Sequence, residues 1–181
     1  NGIEIMNDPS EKHWFALYTK PRHEFKAELQ LNSISINNYL PTYLVTKRWS
    51  DRKKKINEPL FRGYIFIYAS EKERLLALLQ SAIVRCITFS GKPSIVPEWQ
   101  INNLKKILSE TPEVLVSNKI EIGTSIIITD GPFKDVIGVV TGTQEDKWLA
   151  VSVDLIHRSI MVRLPKESGI YVHSPLNKSR H

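Results

Sequence analysis

The pattern of apolar residues changes near residue 122, and this change constrains the fold more than any other feature of the sequence. Before that point, apolar residues recur with both helical and strand spacing. After it, the chain consists of short β-branched runs separated by turn residues: TSIIIT, VIGVVTG, WLAVSVDL, SIMVRL and GIYVH. Five such runs within roughly fifty residues are typical of a small β-barrel. We therefore predict two domains of different class, joined by a linker over 111–120.

The first predicted domain spans 13–110 and mixes helices with strands in the order β-α-β-β-α-β-α. The strands are predicted at 14–20, 39–49, 64–68 and 83–89, and the helices at 22–35, at 71–80 and after Pro97. This order favours an α+β fold in which helices flank a mostly antiparallel sheet. The second predicted domain, over 121–174, is the barrel. Its glycines and Pro132 oppose helix formation, and Gly138 inside a strand indicates a bulge or a close backbone approach.

The run from Tyr64 to Tyr68 has no polar break. Because strand side chains alternate between faces, Ile65 and Ile67 point one way, and Tyr64, Phe66 and Tyr68 point the other. The first face belongs to a core. The second face is either covered by further structure or exposed as an interaction site, and alternation leaves both possibilities open.

The charge of the chain is unevenly placed. Of a net charge of +6, residues 1–110 hold 17 Lys/Arg against 11 Asp/Glu, whereas residues 121–173 hold 5 against 7. This asymmetry indicates a first half that faces a polyanion such as nucleic acid, although ordinary solubility charge is the alternative.

Two basic segments stand out in the first half. The run KRWSDRKKK, 47–55, holds six basic residues and one acid and is predicted to form the tip of a hairpin, either touching phosphates or simply solvated. The other segment places Lys20, Arg22, His23 and Lys26 around a strand-to-helix junction. Basic side chains at a helix start oppose the helix dipole, which favours a nucleic-acid role over a solvated turn.

The sequence offers no assembled catalytic group. The five histidines have no metal-ligand spacing, Cys86 lies in a predicted strand without an activating neighbour, and no phosphate-binding glycine loop occurs. We predict a protein that is not an enzyme and that needs no cofactor or metal. No apolar run reaches the roughly 20 residues of a membrane span, and no signal peptide is visible, so we expect no membrane association. A single cysteine fits the reducing cytoplasm.

Several segments resemble one known family. ITDGPFKDVIGVVTG, 128–142, resembles the KOW motif of an SH3-like barrel. HWFALYTKPRHEFKAELQL, EPLFRGYIFIY and SGKPSIVP are similar to successive parts of the NusG N-terminal (NGN) domain. Together these segments make residues 13–173 similar to NusG-type transcription elongation factors. EPLF, GKPSIVP and LYTK are closer to the specialised RfaH-like antiterminators, which act on particular operons.

The resemblance implies a function and a set of sites. It implies that Tyr18, Tyr64, Phe66 and Phe89 bind the clamp helices of RNA polymerase. It places Lys20, Arg22, His23 and Lys26 against the single-stranded non-template DNA. The KOW domain would then recruit a ribosomal protein or a termination factor, and we expect a monomer. An RNA-binding or ribosome-associated KOW protein is the alternative.

The chain departs from the family pattern at two places. Arg62 stands where a proline usually precedes Gly63. Glu73 and Arg74 lie in the segment where RfaH-like proteins carry a His-Thr-Thr element that contacts the polymerase gate loop.

Overall fold

The computed structural model describes residues 10–110, 114–119, 121–142, 146–165 and 168–172. The chain forms two compact units. The first contains the described residues up to Pro41 together with Pro59–Glu98, and the second contains Thr42–Glu58 with the described residues from Trp99 onward. The predicted domain bounds, 13–110 and 121–174, stay a prediction. Residues 111–113, 120, 143–145, 166–167 and 173–174 of the predicted linker and second domain lie outside the described ranges.

The secondary structure alternates at first and then consists almost entirely of strands. In chain order the elements are β1 (His13–Thr19), α1 (Glu24–Ser33), β2 (Asn37–Tyr39), β3 (Thr42–Arg48), β4 (Lys53–Pro59), β5 (Tyr64–Ala69), α2 (Glu71–Leu78), β6 (Ile83–Cys86), β7 (Thr88–Phe89), β8 (Lys92–Pro93), β9 (Ile95–Val96), α3 (Glu98–Glu110), β10 (Leu115–Ser117), β11 (Thr124–Ile128), β12 (Ile137–Gly142), β13 (Lys147–Val153), β14 (Arg158–Arg163) and β15 (Ile170–Val172).

All three predicted helices are present, although two are shorter than predicted. Arg22 has a φ of 62° and therefore cannot lie in a right-handed helix, so α1 begins at Glu24. The strand predicted over 39–49 is wrong as a single element, since Pro41 separates β2 from β3. The strand predicted over 83–89 is likewise divided, into β6 and β7.

The sheet of the first unit has the strand order β2-β5-β1-β6, and β9 also pairs with β1. The antiparallel register of β1 and β5 places Leu17 opposite Ile65. Ile65 and Ile67 are buried in one cluster with Leu31 of α1 and Ala77 of α2. The prediction that these two isoleucines face a helix-covered core is confirmed.

The second unit contains a six-stranded antiparallel sheet in the order β10-β14-β13-β12-β11-β15. All five predicted strands are present, and Gly138 makes the predicted close approach: a Cβ there would lie 2.6 Å from the Ala150 carbonyl oxygen. The prediction of a closed barrel is not met among the described residues, because no pairing joins the end strands β10 and β15. The sixth strand, β10, comes from the predicted linker and pairs with β14.

Two buried side-chain amides connect α3 to strand β12 and to the short 3-10 turn that follows β13. The Asn103 amide donates to the Ile137 carbonyl at 2.7 Å and accepts from the Ile137 N–H at 3.4 Å. Gln100 makes the same kind of paired contact with Asp154, accepting its backbone N–H and donating to its carboxylate. Because buried polar groups are costly unless hydrogen-bonded, these pairs fix how α3 packs on this sheet.

Candidate functional site

The aromatic pair Tyr18 and Tyr64 forms the centre of the predicted site. These residues lie directly opposite each other on β1 and β5, and their ring centroids are 5.5 Å apart in an edge-to-face arrangement. Arg85 lies opposite Tyr18 on β6, with its guanidinium carbon 5.8 Å from the centre of that ring. Strand pairing therefore assembles two aromatic rings and one cation on the sheet face opposite Leu17 and Ile65.

The turn before β5 fixes the position of the Tyr18 ring. Gly63 has a φ of +84°, and a Cβ at this position would lie only 3.0 Å from Tyr18 Cε2. The Gly63 N–H donates to the buried Glu24 carboxylate at 2.8 Å, and its carbonyl accepts from the Thr19 N–H at 2.8 Å. The turn is therefore held by contacts of Gly63 itself. The preceding exposed Arg62 replaces the family proline without removing these contacts.

Phe66 occupies the same face of β5, but it has no exposed surface. It lies opposite Ala16 on β1 and Tyr39 on β2. Tyr39 is itself largely enclosed, and burial raises the pKa of its hydroxyl to about 12. Alternation assigned Phe66 to the correct face but could not show that this part of the face is covered.

Phe89 is the most exposed member of the predicted set, at 78%. It lies on the short hairpin formed by β7 and β8. A backbone hydrogen bond from the Ile87 N–H to the Ala16 carbonyl ties this hairpin to the sheet, and one from the Ser94 N–H to the Ile87 carbonyl closes its base. Among the described residues, no ring contact joins Phe89 to either tyrosine.

The four predicted nucleic-acid residues surround the start of α1. Lys20, Arg22 and Lys26 are exposed, and His23 is half-buried at the N-cap. The His23 side chain does not cap the helix, and its Nδ1 lies 2.8 Å from the Pro21 carbonyl oxygen. The carboxylate of the first turn, Glu24, points inward to Gly63, so it leaves the exposed cations without a neutralising partner in that turn.

Glu73 and Arg74, which the resemblance places in the gate-loop segment of RfaH-like proteins, have structural partners. The Ser70 hydroxyl accepts the Glu73 N–H, and the Glu73 carboxylate accepts the Ser70 N–H, which is a capping box at the start of α2. Arg74 is buried, donates to Glu71 at 2.5 and 2.9 Å, and lies 5.9 Å from the centre of the Phe15 ring. The pattern Ser-x-x-Glu over 70–73 carried the capping signal in the sequence.

Acid unfolding should report the ionised Glu73 carboxylate, which is bound by Lys12 and by the capping box. The hydrogen bond from Lys12 and then that from the Ser70 backbone lower the pKa of Glu73 below its usual 4.5. A lowered folded-state pKa stabilises the protein above about pH 4.5, and this contribution is lost as the pH falls through the folded value. We expect the fall in melting temperature between pH 6 and pH 3 to be smaller in Glu73→Gln than in the unsubstituted protein. Glu110→Gln, outside the capping box, serves as the control, and an equal fall in both variants would contradict the assignment.

The described part of the chain contains residue types that can bind a metal, and it contains one thiol. No group of three His, Cys, Asp or Glu residues within it could hold a metal ion. Burial is the main influence on Cys86, and it raises the pKa of the thiol. None of the helices in the described ranges has the length and apolar character needed to cross a membrane.

Comparison with known proteins gives consistent matches. The family model "Transcription termination factor nusG" matches residues 12–105, more than half of the chain. The transcription termination/antitermination protein NusG of Rickettsia conorii is 23% identical over 177 residues, covering 91% of this chain and 92% of the relative. The protein of the same name from Buchnera aphidicola is 26% identical over 178 residues, covering 88% of this chain and 96% of the relative. A solved structure on domain interaction in Thermotoga maritima NusG is 17% identical, with a TM-score of 0.49, and covers 85% of this chain and 93% of that one.

Proposed function

The chain belongs to the NusG family of transcription termination factors, and on that premise we propose that it is a transcription elongation and antitermination factor that binds the RNA polymerase clamp. The observation that carries the proposal is the cluster of Tyr18, Tyr64 and Arg85 on one face of the first sheet. Exposed or half-exposed aromatic rings held by a rigid sheet are typical anchors of protein interfaces.

The four predicted clamp residues divide into two roles in this proposal. Tyr18, Tyr64 and the exposed Phe89 offer surface to the polymerase. Phe66, with no exposed surface, supports the strand that carries Tyr64. Arg85 adds a cation beside the Tyr18 ring, which would favour an acidic group at that point of the partner.

The cations around the start of α1 extend the proposal to nucleic acid. Lys20, Arg22, His23 and Lys26 would contact the single-stranded non-template DNA. Their exposure and the inward orientation of Glu24 support this role, because phosphate contacts need accessible, uncompensated cations. Binding through this group should weaken as the salt concentration rises.

The second unit supplies the remaining part of the proposed function. Residues 121–174 would act as an SH3-like KOW barrel that recruits a ribosomal protein or a termination factor. The resemblance of 128–142 to the KOW motif and the antiparallel sheet of this unit support that assignment. The RfaH-like segments favour an operon-specific antiterminator that works as a monomer in the cytoplasm. This function requires no enzymatic group, cofactor or metal.

Polymerase capture by the full-length chain tests the clamp assignment. We expect Phe89→Asp to reduce capture of purified RNA polymerase about tenfold, on the order of 1.4 kcal/mol, because a charge replaces an apolar anchor. Leu79→Asp is the matched control, since Leu79 on the other face of the unit's sheet is also 78% exposed. Equal capture by Phe89→Asp and the unsubstituted chain would contradict the clamp surface. Salt-dependent RNA binding without any polymerase capture would favour the alternative RNA-binding or ribosome-associated function.

A further inference from the structure

The hairpin of β3 and β4 is a second basic surface, which the proposed function does not use. The strands form a separate two-stranded sheet, and the Trp49 N–H donates to the Arg52 carbonyl at 2.8 Å across a two-residue turn. Every residue from Thr46 to Lys55 is exposed. Trp49, at the turn, has 59% of its surface accessible, which is unusual for so large an apolar side chain.

The two faces of this hairpin differ in their chemistry. Tyr43, Val45 and Ile56 lie on one face and are partly buried, and on that face Lys47 is paired with Glu58. Strand alternation places Arg48, Lys53 and Lys55 on the other face, which is open to solvent. The second face is therefore a row of cations, and the exposed Trp49 lies at the turn beyond it.

The cations of the open face have no acidic partner in the described part of the chain. Arg48, Lys53 and Lys55 form no ion pair with a described carboxylate, and the only acid at the tip, Asp51, lies 3.9 Å from Arg52 with both groups well exposed. The turn also places Arg48 opposite Lys53, and like charges that face each other across strands are destabilising. This arrangement costs folding energy, and an external anion would relieve the repulsion.

The spacing of these groups fits a chain of phosphates. Residues on the same face of a strand are separated by about 6.6 Å, so Lys53 and Lys55 can reach successive negative groups along an extended polyanion. An exposed aromatic ring next to a row of cations is the combination that binds unpaired bases, because every base offers a face for stacking. A base inside a duplex does not offer that face.

We propose that the open face of this hairpin binds single-stranded nucleic acid, with Arg48, Lys53 and Lys55 on the phosphates and Trp49 stacked on a base. The other end of the hairpin, away from Trp49, packs within its own unit. Tyr43–Thr46 line a cleft of about 400 Å³ with Phe133 and Trp148 of the same unit, so the ribbon extends from a defined base. The site is separate in sequence from the cations around α1, and it does not require polymerase binding.

Fluorescence anisotropy with the full-length chain tests the proposal. The probes are a labelled single-stranded DNA 12-mer, the RNA of the same sequence and the corresponding DNA duplex, each titrated at several salt concentrations. We expect the triple variant R48Q/K53Q/K55Q to bind single strands at least tenfold more weakly at low salt. We also expect the slope of log affinity against log salt to fall by about 2, because three phosphate contacts are removed. Comparison of the DNA and RNA arms identifies which single strand is preferred.

Two further variants isolate the site. The triple variant K72Q/K134Q/K147Q removes the same charge at other exposed positions. We expect its affinity for single strands to stay within twofold of the unsubstituted chain, with an unchanged salt slope. Trp49→Ala should lose roughly fivefold or more in affinity with an unchanged salt slope, as expected for lost stacking. Equal losses in the two triple variants, an unaffected Trp49→Ala, or tighter binding of the duplex than of either single strand would each overturn the proposal. Polymerase capture by the hairpin variants, measured in parallel, distinguishes failure of this site from failure of the clamp surface.

Discussion

Gly63→Ala should destabilise the first unit by roughly 1–2 kcal/mol and reduce polymerase capture about tenfold. The stability loss follows from the φ of +84°, because an L-residue in the left-handed region costs about that much. The binding loss has a separate cause. The new Cβ would lie 3.0 Å from Tyr18 Cε2, so the ring must give by a few tenths of an ångström, which displaces it relative to Tyr64 and Arg85. Urea unfolding measures the first effect, and capture of purified polymerase measures the second.

Gly131→Ala is the matched control for this prediction. Gly131 has the same φ of +84°, and a Cβ at this position would meet no atom within 4 Å, so the substitution introduces the backbone strain alone. We expect a similar loss of stability in Gly131→Ala with polymerase capture unchanged. If both glycine variants lost capture equally, the position of the Tyr18 ring would not be what the polymerase recognises.

The ion pair between Glu71 and Arg74 should respond asymmetrically to substitution. Glu71→Ala removes the partner of a guanidinium whose side chain is only 8% exposed, and stranding a buried charge costs about 3 kcal/mol. Arg74→Met leaves instead a carboxylate that is 53% exposed and can be hydrated, while the new side chain can still pack on Phe15. We expect Arg74→Met to cost about 1 kcal/mol, since apolar replacement of a buried charge is often nearly neutral.

Urea unfolding of both variants at pH 7 measures this difference, with Lys72→Ala on the exposed side of α2 as the control. The hydrogen bond from Arg74 lowers the pKa of Glu71, so we expect that pKa to rise towards 4.5 in Arg74→Met when titrated by NMR. A larger cost for Arg74→Met than for Glu71→Ala would show that packing or another contact of Arg74, rather than its compensated charge, dominates.

Local patterns in the sequence predicted the elements, whereas long-range packing determined what could not be predicted. Alternation over 64–68 assigned Ile65 and Ile67 to the core, because which face a strand residue takes depends only on its neighbours. The same rule could not show that Phe66 is buried and Phe89 exposed, because that depends on distant chain segments. Arg85 was missed for the same reason, since only the pairing of β6 with β1 brings it to Tyr18.

The linker shows a further limit of sequence patterns. Residues 115–117 are too few to establish a strand period, so their pairing with β14 was not predictable from composition. The open order of the second sheet depends on which strands meet at its ends, and strand count alone does not determine that. The spacing of Ser70 and Glu73 is that of a capping box, so the sequence alone predicts a structural role for Glu73 at the start of α2.

The hydrogen bond between Glu24 and Gly63 has a mechanical consequence for a factor of the proposed kind. This bond joins residues 39 positions apart and ties the first turn of α1 to the turn that supports Tyr18. The cations around α1 and the aromatic rings are therefore parts of one rigid piece. In the proposed function, this link would hold the spacing between the DNA-binding cations and the polymerase-binding rings constant, so a shift in one contact would also displace the other.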